Sequence, residues 1–224
     1  MKKILFLLAS IIITALFTAC SESGTTDLDP TNYETANINN QVWMKTNLND
    51  SYYRNGDPIP QVTDSVQWMN LTTGAWCYYN NDPAMGAIYG KLYNWYAVND
   101  PRGLAPEGWH IASNSEWTAM EDFLGGYLNA GGKLKTAGTV EAGTGLWRNH
   151  NAGATNESGF SALPGGYRTD YANFAYLEGN AYFWTSTAND GDKAWFRSLS
   201  YYTIIIIDYY KFKTMGMSVR CVRD

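Results

Sequence analysis

The spacing of apolar side chains predicts one well-defined helix near the middle of the chain. Over residues 114–124, four large apolar side chains recur at helical intervals and fall on one face: Trp117, Met120, Phe123 and Leu124. Ser113 stands at the N-cap position and Glu116 follows three residues later, which is the capping-box arrangement. The glycines at 125 and 126 are expected to end this helix. A second helix is predicted over residues 89–98.

After residue 160 the pattern changes to short aromatic and β-branched runs that are broken by glycine, which is typical of strands. We predict strands over residues 182–186, 194–199, 202–209 and 217–222. The four isoleucines at 204–207 fit a strand that is buried on both faces, and they would promote aggregation if that strand lay at a sheet edge. Nearer the start, the Asn39-Asn40 pair between apolar residues predicts a hairpin. The predicted fold class is α+β: a single, irregular, loop-rich domain with short antiparallel strands and one or two helices.

The first residues have the layout of a secretion signal. Lys2 and Lys3 precede an uncharged apolar run over residues 4–19, and the run ends in Thr18-Ala19-Cys20. The run is shorter than the roughly 20 residues that a membrane-spanning helix needs. Small residues directly before a cysteine resemble the bacterial lipobox, in which that cysteine is lipidated. The alternative is an ordinary signal peptide with a chance cysteine.

This interpretation divides the chain into three parts. Residues 1–19 are a lipoprotein signal peptide, residues 20–36 form a polar flexible tether that carries a lipid on Cys20, and residues 37–224 form the domain. More than one acyl chain would hold the protein stably at a membrane. We therefore expect a lipid-anchored protein of the cell envelope, at the outer membrane, on either its periplasmic or its outer face.

The net charge of the chain bears on the kind of partner that it can bind. The formal net charge of −5 becomes −7 once Lys2 and Lys3 are removed, because two positive charges are lost. An acidic chain of this kind argues against nucleic acid as a partner.

Cys77 and Cys221 remain after Cys20, and outside the cytoplasm an even pair favours a disulfide. The alternative is two buried, unpaired thiols.

Ten segments along the chain carry recognisable motifs: residues 43–44 (WM), 47–48 (NL), 53–56 (YRNG), 59–60 (IP), 89–98 (YGKLYNWYAV), 105–110 (APEGWH), 116–117 (EW), 159–168 (GFSALPGGYR), 184–187 (WTST) and 218–224 (SVRCVRD). Together they resemble the motifs of one known family, the Fibrobacter succinogenes major paralogous domain. The resemblance covers nearly all of the chain after the tether. It implies export in Bacteroidetes or Fibrobacteres, and a fold similar to formylglycine-generating enzyme and C-type lectin-like domains. It implies no particular activity.

Residue patterns that would support catalysis or metal binding are sparse. The C-x-x-x-x-C pair that binds copper in the formylglycine-generating enzyme is missing from the sequence, so no catalytic residue is assigned. We interpret His110 as a packed, hydrogen-bonded side chain and His150 as exposed. The only candidate cofactor is calcium, at the oxygen-rich cluster of Asn189, Asp190 and Asp192, which could equally be a solvated turn.

The unusual feature of the composition is its aromatic content of 9 Trp, 17 Tyr and 8 Phe. Such rings either fill the core of a loop-rich fold or provide surfaces for ligands. The candidate ligand-binding residues are Arg168, Tyr171, Tyr176 and Trp184. We predict a non-catalytic binding or adhesion module for a glycan or an envelope protein. The alternatives are an enzyme on a diverged formylglycine-generating scaffold and a structural component of a surface assembly.

Overall fold

The computed structural model describes residues 33–224, so the predicted signal peptide, Cys20 and most of the tether lie outside the described residues. Strands and short helices are mixed along this part of the chain. The strands are β1 (Thr35–Ile38), β2 (Gln41–Met44), β3 (Trp76–Cys77), β4 (Leu92–Tyr93), β5 (Trp109–Ile111), β6 (Gly165–Arg168), β7 (Phe174–Leu177), β8 (Asn180–Ala188), β9 (Lys193–Ser200), β10 (Ile207–Phe212), β11 (Ser218–Val219) and β12 (Cys221–Arg223). The helices are α1 (Ser65–Met69), α2 (Pro83–Tyr89), α3 (Trp95–Val98), α4 (Asn114–Phe123) and α5 (Ala130–Leu134).

Three sheets organise the domain, and the α+β class is confirmed. A four-stranded sheet has the order β1-β2-β12-β5, so the predicted hairpin at Asn39-Asn40 pairs with the last strand of the chain. A larger sheet has the order β10-β9-β8-β6-β7, with β11 running parallel to β8. The strands β3 and β4 form a small third sheet. Within residues 33–224, no helix has both the length and the apolar character needed to cross a bilayer.

Helix α4 confirms the main helical prediction. Ser113 and Glu116 form the expected capping box, and Trp117 and Met120 are buried. Phe123 was predicted on the buried face, but it is 62% exposed. Glu121 is buried instead, because Arg197 of β9 reaches the helix and donates a hydrogen bond to its carboxylate. The buried face of the helix thus includes a charged residue that hydrophobicity alone does not predict.

The long strands β8 and β9 confirm the predictions at 182–186 and 194–199 and extend them at both ends. The strand predicted over 202–209 is wrong in its first half, because Ile204 and Ile206 lie in a loop. Gly131 donates its N–H to Ile204 O at 2.9 Å, and Ile206 donates to Tyr127 O at 2.8 Å. These bonds use the backbone groups that a strand would have paired.

Two further element predictions need correction. The helix predicted over 89–98 is divided: residues 92–93 form β4, and α3 begins after Asn94, whose side chain accepts from Ala97 N. The strand predicted over 217–222 is interrupted at Arg220, which separates β11 from β12. Asn94 and Arg220 are both buried polar residues that fix backbone groups of distant segments. Their side chains therefore override the local apolar pattern.

Buried cations fasten the loops to the core. Arg168, Arg197, Arg220 and Lys135 are each fully buried. Arg220 donates to the main-chain oxygens of Met44, Phe160 and Ser161, although no carboxylate accepts from it among the hydrogen bonds of the described residues. A loop-rich domain leaves many carbonyl groups without a strand or helix partner, and buried carbonyls need donors. Long cationic side chains supply those donors here.

The predicted disulfide between Cys77 and Cys221 is wrong, since both cysteines are free and buried. Cys77 packs with Trp68 in one core cluster, whereas Cys221 packs with Trp109 in another. Burial raises the pKa of Cys77 to about 12 and also raises the pKa of Cys221. Both side chains are therefore neutral thiols that act as small apolar core residues.

Candidate ligand-binding groove

One face of the large sheet carries a continuous set of aromatic and polar side chains. In the β8–β9 register Tyr182 lies opposite Ser198, and in the β9–β10 register Ser198 lies opposite Ile207 and Phe196 opposite Tyr209. Because side chains alternate along strands, residues two apart share a face. The side chains of Tyr182, Ser198 and Ile207 therefore lie side by side on one face of β8, β9 and β10.

At one end this face enters the core, where Trp184 and Phe196 are buried, and at the other end it opens into a groove of about 520 Å³. We call this feature the aromatic groove. Its lining residues are Arg148, Tyr167, Tyr176, Gly179, Asn180, Tyr182, Phe196, Ser198, Tyr201, Tyr202, Ile207, Tyr209, Lys211 and Met217. A concave site with many rings and few polar groups is the usual form of a small-ligand site.

The rings of the groove pack against one another as well as facing the open space. The centroids of Tyr167 and Tyr182 are 4.6 Å apart, and those of Tyr182 and Phe196 are 5.9 Å apart. Tyr176 stacks on Tyr167 with 6.0 Å between centroids and 14° between planes. Contacts of this kind contribute about 0.5–1.5 kcal/mol per pair beyond burial. They also hold the rings in place before any ligand arrives.

The backbone at Tyr176 is in the left-handed region, with φ 63°, although the residue lies inside β7. Gly166 of the neighbouring strand β6 also has φ 63°, and a Cβ there would lie 2.4 Å from Ala175 O. A bulky residue in this conformation is strained, and such strain concentrates at functional sites. The kink presents an exposed tyrosine ring at the edge of the groove, since Tyr176 is 58% exposed.

The polar groups of the groove are donors for the most part. Arg148 and Lys211 contribute positive charge, and Asn180 and Ser198 contribute neutral hydrogen-bonding groups. Burial raises the pKa of Tyr167 and, more strongly, that of Tyr182, and neighbouring tyrosines add to both shifts. Both hydroxyls therefore stay protonated at neutral pH and can donate a hydrogen bond.

The loop that carries Tyr201 and Tyr202 is fixed from below by Lys135. The ammonium group donates to Ser200 O at 2.8 Å, to Thr203 O at 3.0 Å and to Ala152 O at 2.9 Å. Two of these acceptors directly flank the tyrosine pair. Burial lowers the pKa of Lys135 to about 8. The position of this side of the groove thus depends on one buried amine.

Of the four residues predicted to bind ligand, the structure brings only Tyr176 into the groove. Tyr171 is 74% exposed, but it is not part of the lining. Arg168 is fully buried and donates to Val62 O and Thr63 O at 2.7 and 2.9 Å. Trp184 is fully buried, and its indole N–H donates to Tyr93 O at 3.0 Å. Both residues support the core behind the groove.

The sequence prediction missed Tyr167, Tyr182 and Lys211 as groove residues. Tyr167 both packs against Tyr182 and lines the groove. A usable signal existed in β10, where Ile207, Tyr209 and Lys211 alternate with residues on the opposite face. The pattern predicts one face of a strand, but it does not indicate which other strands complete the site.

The predicted calcium cluster forms the turn between β8 and β9. Asp190 Oδ1 accepts from the N–H groups of Asp192 and Lys193, and Asn189 donates to Asp190 Oδ2. The Lys213 ammonium donates to the main-chain oxygens of Asp190 and Gly191. Protein donors thus occupy several of the oxygens that a cation would need. Within residues 33–224, no group of three His, Cys or acidic side chains could hold a metal ion.

His110 is not part of the groove lining, and its ring lies between two carboxylates. Its Nδ1 is 2.7 Å from Asp224 Oδ1 and its Nε2 is 2.6 Å from Glu116 Oε1, so the hydrogen-bonded role predicted for it is confirmed. Burial alone lowers the pKa of His110, but the bonds to Glu116 and Asp224 outweigh it and raise the pKa above its ordinary value. His150 is exposed, as predicted.

Comparison with known families gives one match, and it covers most of the chain. Residues 36–223 match the family model of the Fibrobacter succinogenes major domain. Searches among curated proteins and among solved structures found no match.

Proposed function

The chain belongs to the Fibrobacter succinogenes major domain family, and we propose that its domain is a non-catalytic binding module that holds a carbohydrate chain in the aromatic groove. The single observation that carries this proposal is the groove itself. Seven aromatic rings and four polar side chains from five strands and two loops line one open space of about 520 Å³.

The chemistry of the lining favours a sugar. A pyranose ring has faces of weakly positive C–H groups and an edge of hydroxyl groups. The faces pack on the negative π-faces of aromatic rings, and the hydroxyl groups need donors and acceptors nearby. The groove offers the rings of Tyr167 and Tyr182 for stacking, and the side chains of Asn180 and Ser198 lie beside them.

The groove is also organised in advance of binding. Tyr182 is held between Tyr167 and Phe196, and the loop of Tyr201 and Tyr202 is anchored by Lys135. When the rings are already ordered, less conformational entropy is lost on ligand binding. The strained backbone of Tyr176 fits the same interpretation, because it places a ring that has no packing role in the core.

The same proposal includes a place in the cell and a fold type. We infer a lipid anchor on Cys20 that holds the domain at the cell envelope through the segment at 20–36. We also infer that the fold is similar to C-type lectin-like and formylglycine-generating domains, for which the α+β class and the family membership are the support. Intact-mass measurement of the exported protein tests the anchor, and an experimental structure tests the fold type.

The binding proposal is tested with the purified full chain against a panel of neutral and charged polysaccharides. We expect at least one to bind, and we expect Tyr182→Ala to weaken that binding about tenfold or more. The matched control is Tyr171→Ala, because Tyr171 is an exposed tyrosine outside the groove. Absence of binding to the whole panel, or equal losses in both variants, would contradict the proposal.

A further inference from the structure

The charged residues of the aromatic groove all have the same sign. Among its lining residues, Arg148 and Lys211 are cationic, and the lining contains no aspartate or glutamate. The chain as a whole is acidic, with 21 acidic and 16 basic residues. A positive groove on an acidic protein is therefore a local feature that the composition does not explain.

Neither cation has an acidic partner that would account for it. Within the described part of the chain, the ion pairs involve Arg102, His110, Lys133 and Arg197, and none involves Arg148 or Lys211. This contrasts with the buried cations of the core, each of which donates to several acceptors. Asp208 of β10 lies one position from Ile207 in the strand, on the face opposite the groove. No carboxylate of the described residues forms an ion pair with either cation, so both can pair with a ligand.

The position of Lys211 relative to the rings is fixed by the strand. Lys211 and Tyr209 are two residues apart on β10, so both side chains leave the same face of the sheet. Arg148 belongs to a different segment of the lining, the loop before β6, where its main-chain N–H donates to Glu178 O in the turn between β7 and β8. A ligand that lies on the tyrosine rings would therefore meet cations from two separate segments of the groove.

We propose that the ligand is a polysaccharide of uronic acids, whose carboxylate groups pair with Arg148 and Lys211 while its sugar rings stack on the tyrosines. This inference rests on the proposed function of the groove. A uronate carries its carboxylate at the edge of the sugar ring, so the face of the ring stays free for stacking. The planar guanidinium of Arg148 matches a planar carboxylate through two parallel hydrogen bonds.

The experiment compares two forms of one polymer. Binding of the purified full chain to polygalacturonate and to its fully methyl-esterified form is measured by calorimetry, with a neutral glucan and single-stranded poly-dT as further probes. We expect at least tenfold tighter binding to the free acid, and weaker binding as salt is added. Arg148→Gln and Lys211→Gln should each reduce acid binding about three- to tenfold. The matched control is Lys193→Gln, since Lys193 lies over the rings of Tyr210 and Phe212 outside the groove.

The possible results distinguish the proposal of a uronic acid ligand from the proposal of a carbohydrate site in general. Equal binding of the acid and the ester, with both lost in Tyr182→Ala, overturns the charge inference and leaves the carbohydrate site standing. Binding of poly-dT as tight as that of polygalacturonate overturns the inference, because the groove would then select negative charge rather than a sugar. Absence of binding to every saccharide overturns both proposals.

Discussion

The ring of Tyr176 stacks on the ring of Tyr167 at 6.0 Å, and it does so from a backbone with φ 63°. For an L-residue other than glycine, asparagine or aspartate, this conformation costs about 1–2 kcal/mol. The stacked ring is exposed, so burial returns little of that cost. The backbone conformation of Tyr176 therefore lowers the stability of the fold slightly, and it places one aromatic ring at the groove.

The strained backbone at residue 176 predicts which of two substitutions leaves the protein more stable. Tyr176→Gly and Tyr176→Ala both remove the ring, but only alanine keeps a Cβ in the left-handed region. We expect the glycine variant to be more stable than the alanine variant by about 1 kcal/mol in urea unfolding. Both variants should lose ligand affinity to the same extent. An alanine variant that is as stable as the glycine variant would show that the backbone at 176 is not strained.

A second prediction concerns Lys135, whose ammonium group satisfies three main-chain oxygens in the core. Lys135→Met keeps most of the volume but leaves those oxygens without a donor. We expect the free energy of unfolding to fall by about 2–4 kcal/mol, from unpaired buried acceptors at about 1–3 kcal/mol each with partial relaxation. Hydrogen exchange should rise at residues 200–203, where two of the acceptors lie.

The matched control for this change is Lys133→Met on the same helix, α5. Lys133 pairs with Glu157 at 3.1 Å on the surface, and an exposed pair contributes less than about 1 kcal/mol. A loss of stability that is similar in the two variants would contradict the structural role assigned to Lys135.

The third prediction follows from the two buried thiols. Cys77 and Cys221 are free and their pKa values are raised by burial, so a thiol reagent should label neither residue in the folded protein at pH 8. Both should be labelled in denaturant without prior reduction. The urea midpoint should be the same with and without a reductant. A midpoint that falls when a reductant is added would instead indicate a disulfide.

Local signals in the sequence were sufficient for some elements. The capping box of Ser113 and Glu116 indicates where α4 begins, and the aromatic and β-branched runs at 182–186 and 194–199 indicate β8 and β9. These features depend on neighbours within a few residues, so a pattern in the sequence captures them. The burial of Glu121 was missed because its partner, Arg197, lies 76 positions away on β9.

The groove could not be assembled from the sequence for a related reason. Its rings come from β6, β7, β8, β9, β10 and the loop after β9, and β6 reaches β8 through one parallel pair, Gly166 with Ala181. That pairing is not encoded by spacing along the chain. The residue types alone drew attention to Arg168 and Trp184, whose polar and aromatic groups are satisfied inside the core.

The last prediction concerns pH and the link between His110, Glu116 and Asp224. The pKa of His110 is raised in the folded protein, so its contribution to stability is fully present below the ordinary value of 6.5 and is lost as the pH rises through the raised pKa. For Glu116, burial opposes the shift, but bonds from Ser113 and His110 lower its pKa. Its contribution is therefore present above 4.5 and is lost as the pH falls. The interaction between His110 and Glu116 therefore stabilises the fold most between about pH 4.5 and 6.5.

We therefore expect His110→Gln to lower the urea midpoint at pH 6 and to have a smaller effect at pH 8.5. The side chain of His110 is 41% exposed, so solvent screening keeps the difference below about 1 kcal/mol. His150→Gln is the control, because His150 is exposed and should change the midpoint equally little at both pH values. The ring joins β5 to the start of α4 and to the end of the chain, so the same protonation should also slow hydrogen exchange at residues 113–117. An effect of His110→Gln that is larger at pH 8.5 than at pH 6 would reverse the sign of the linkage and contradict a raised pKa.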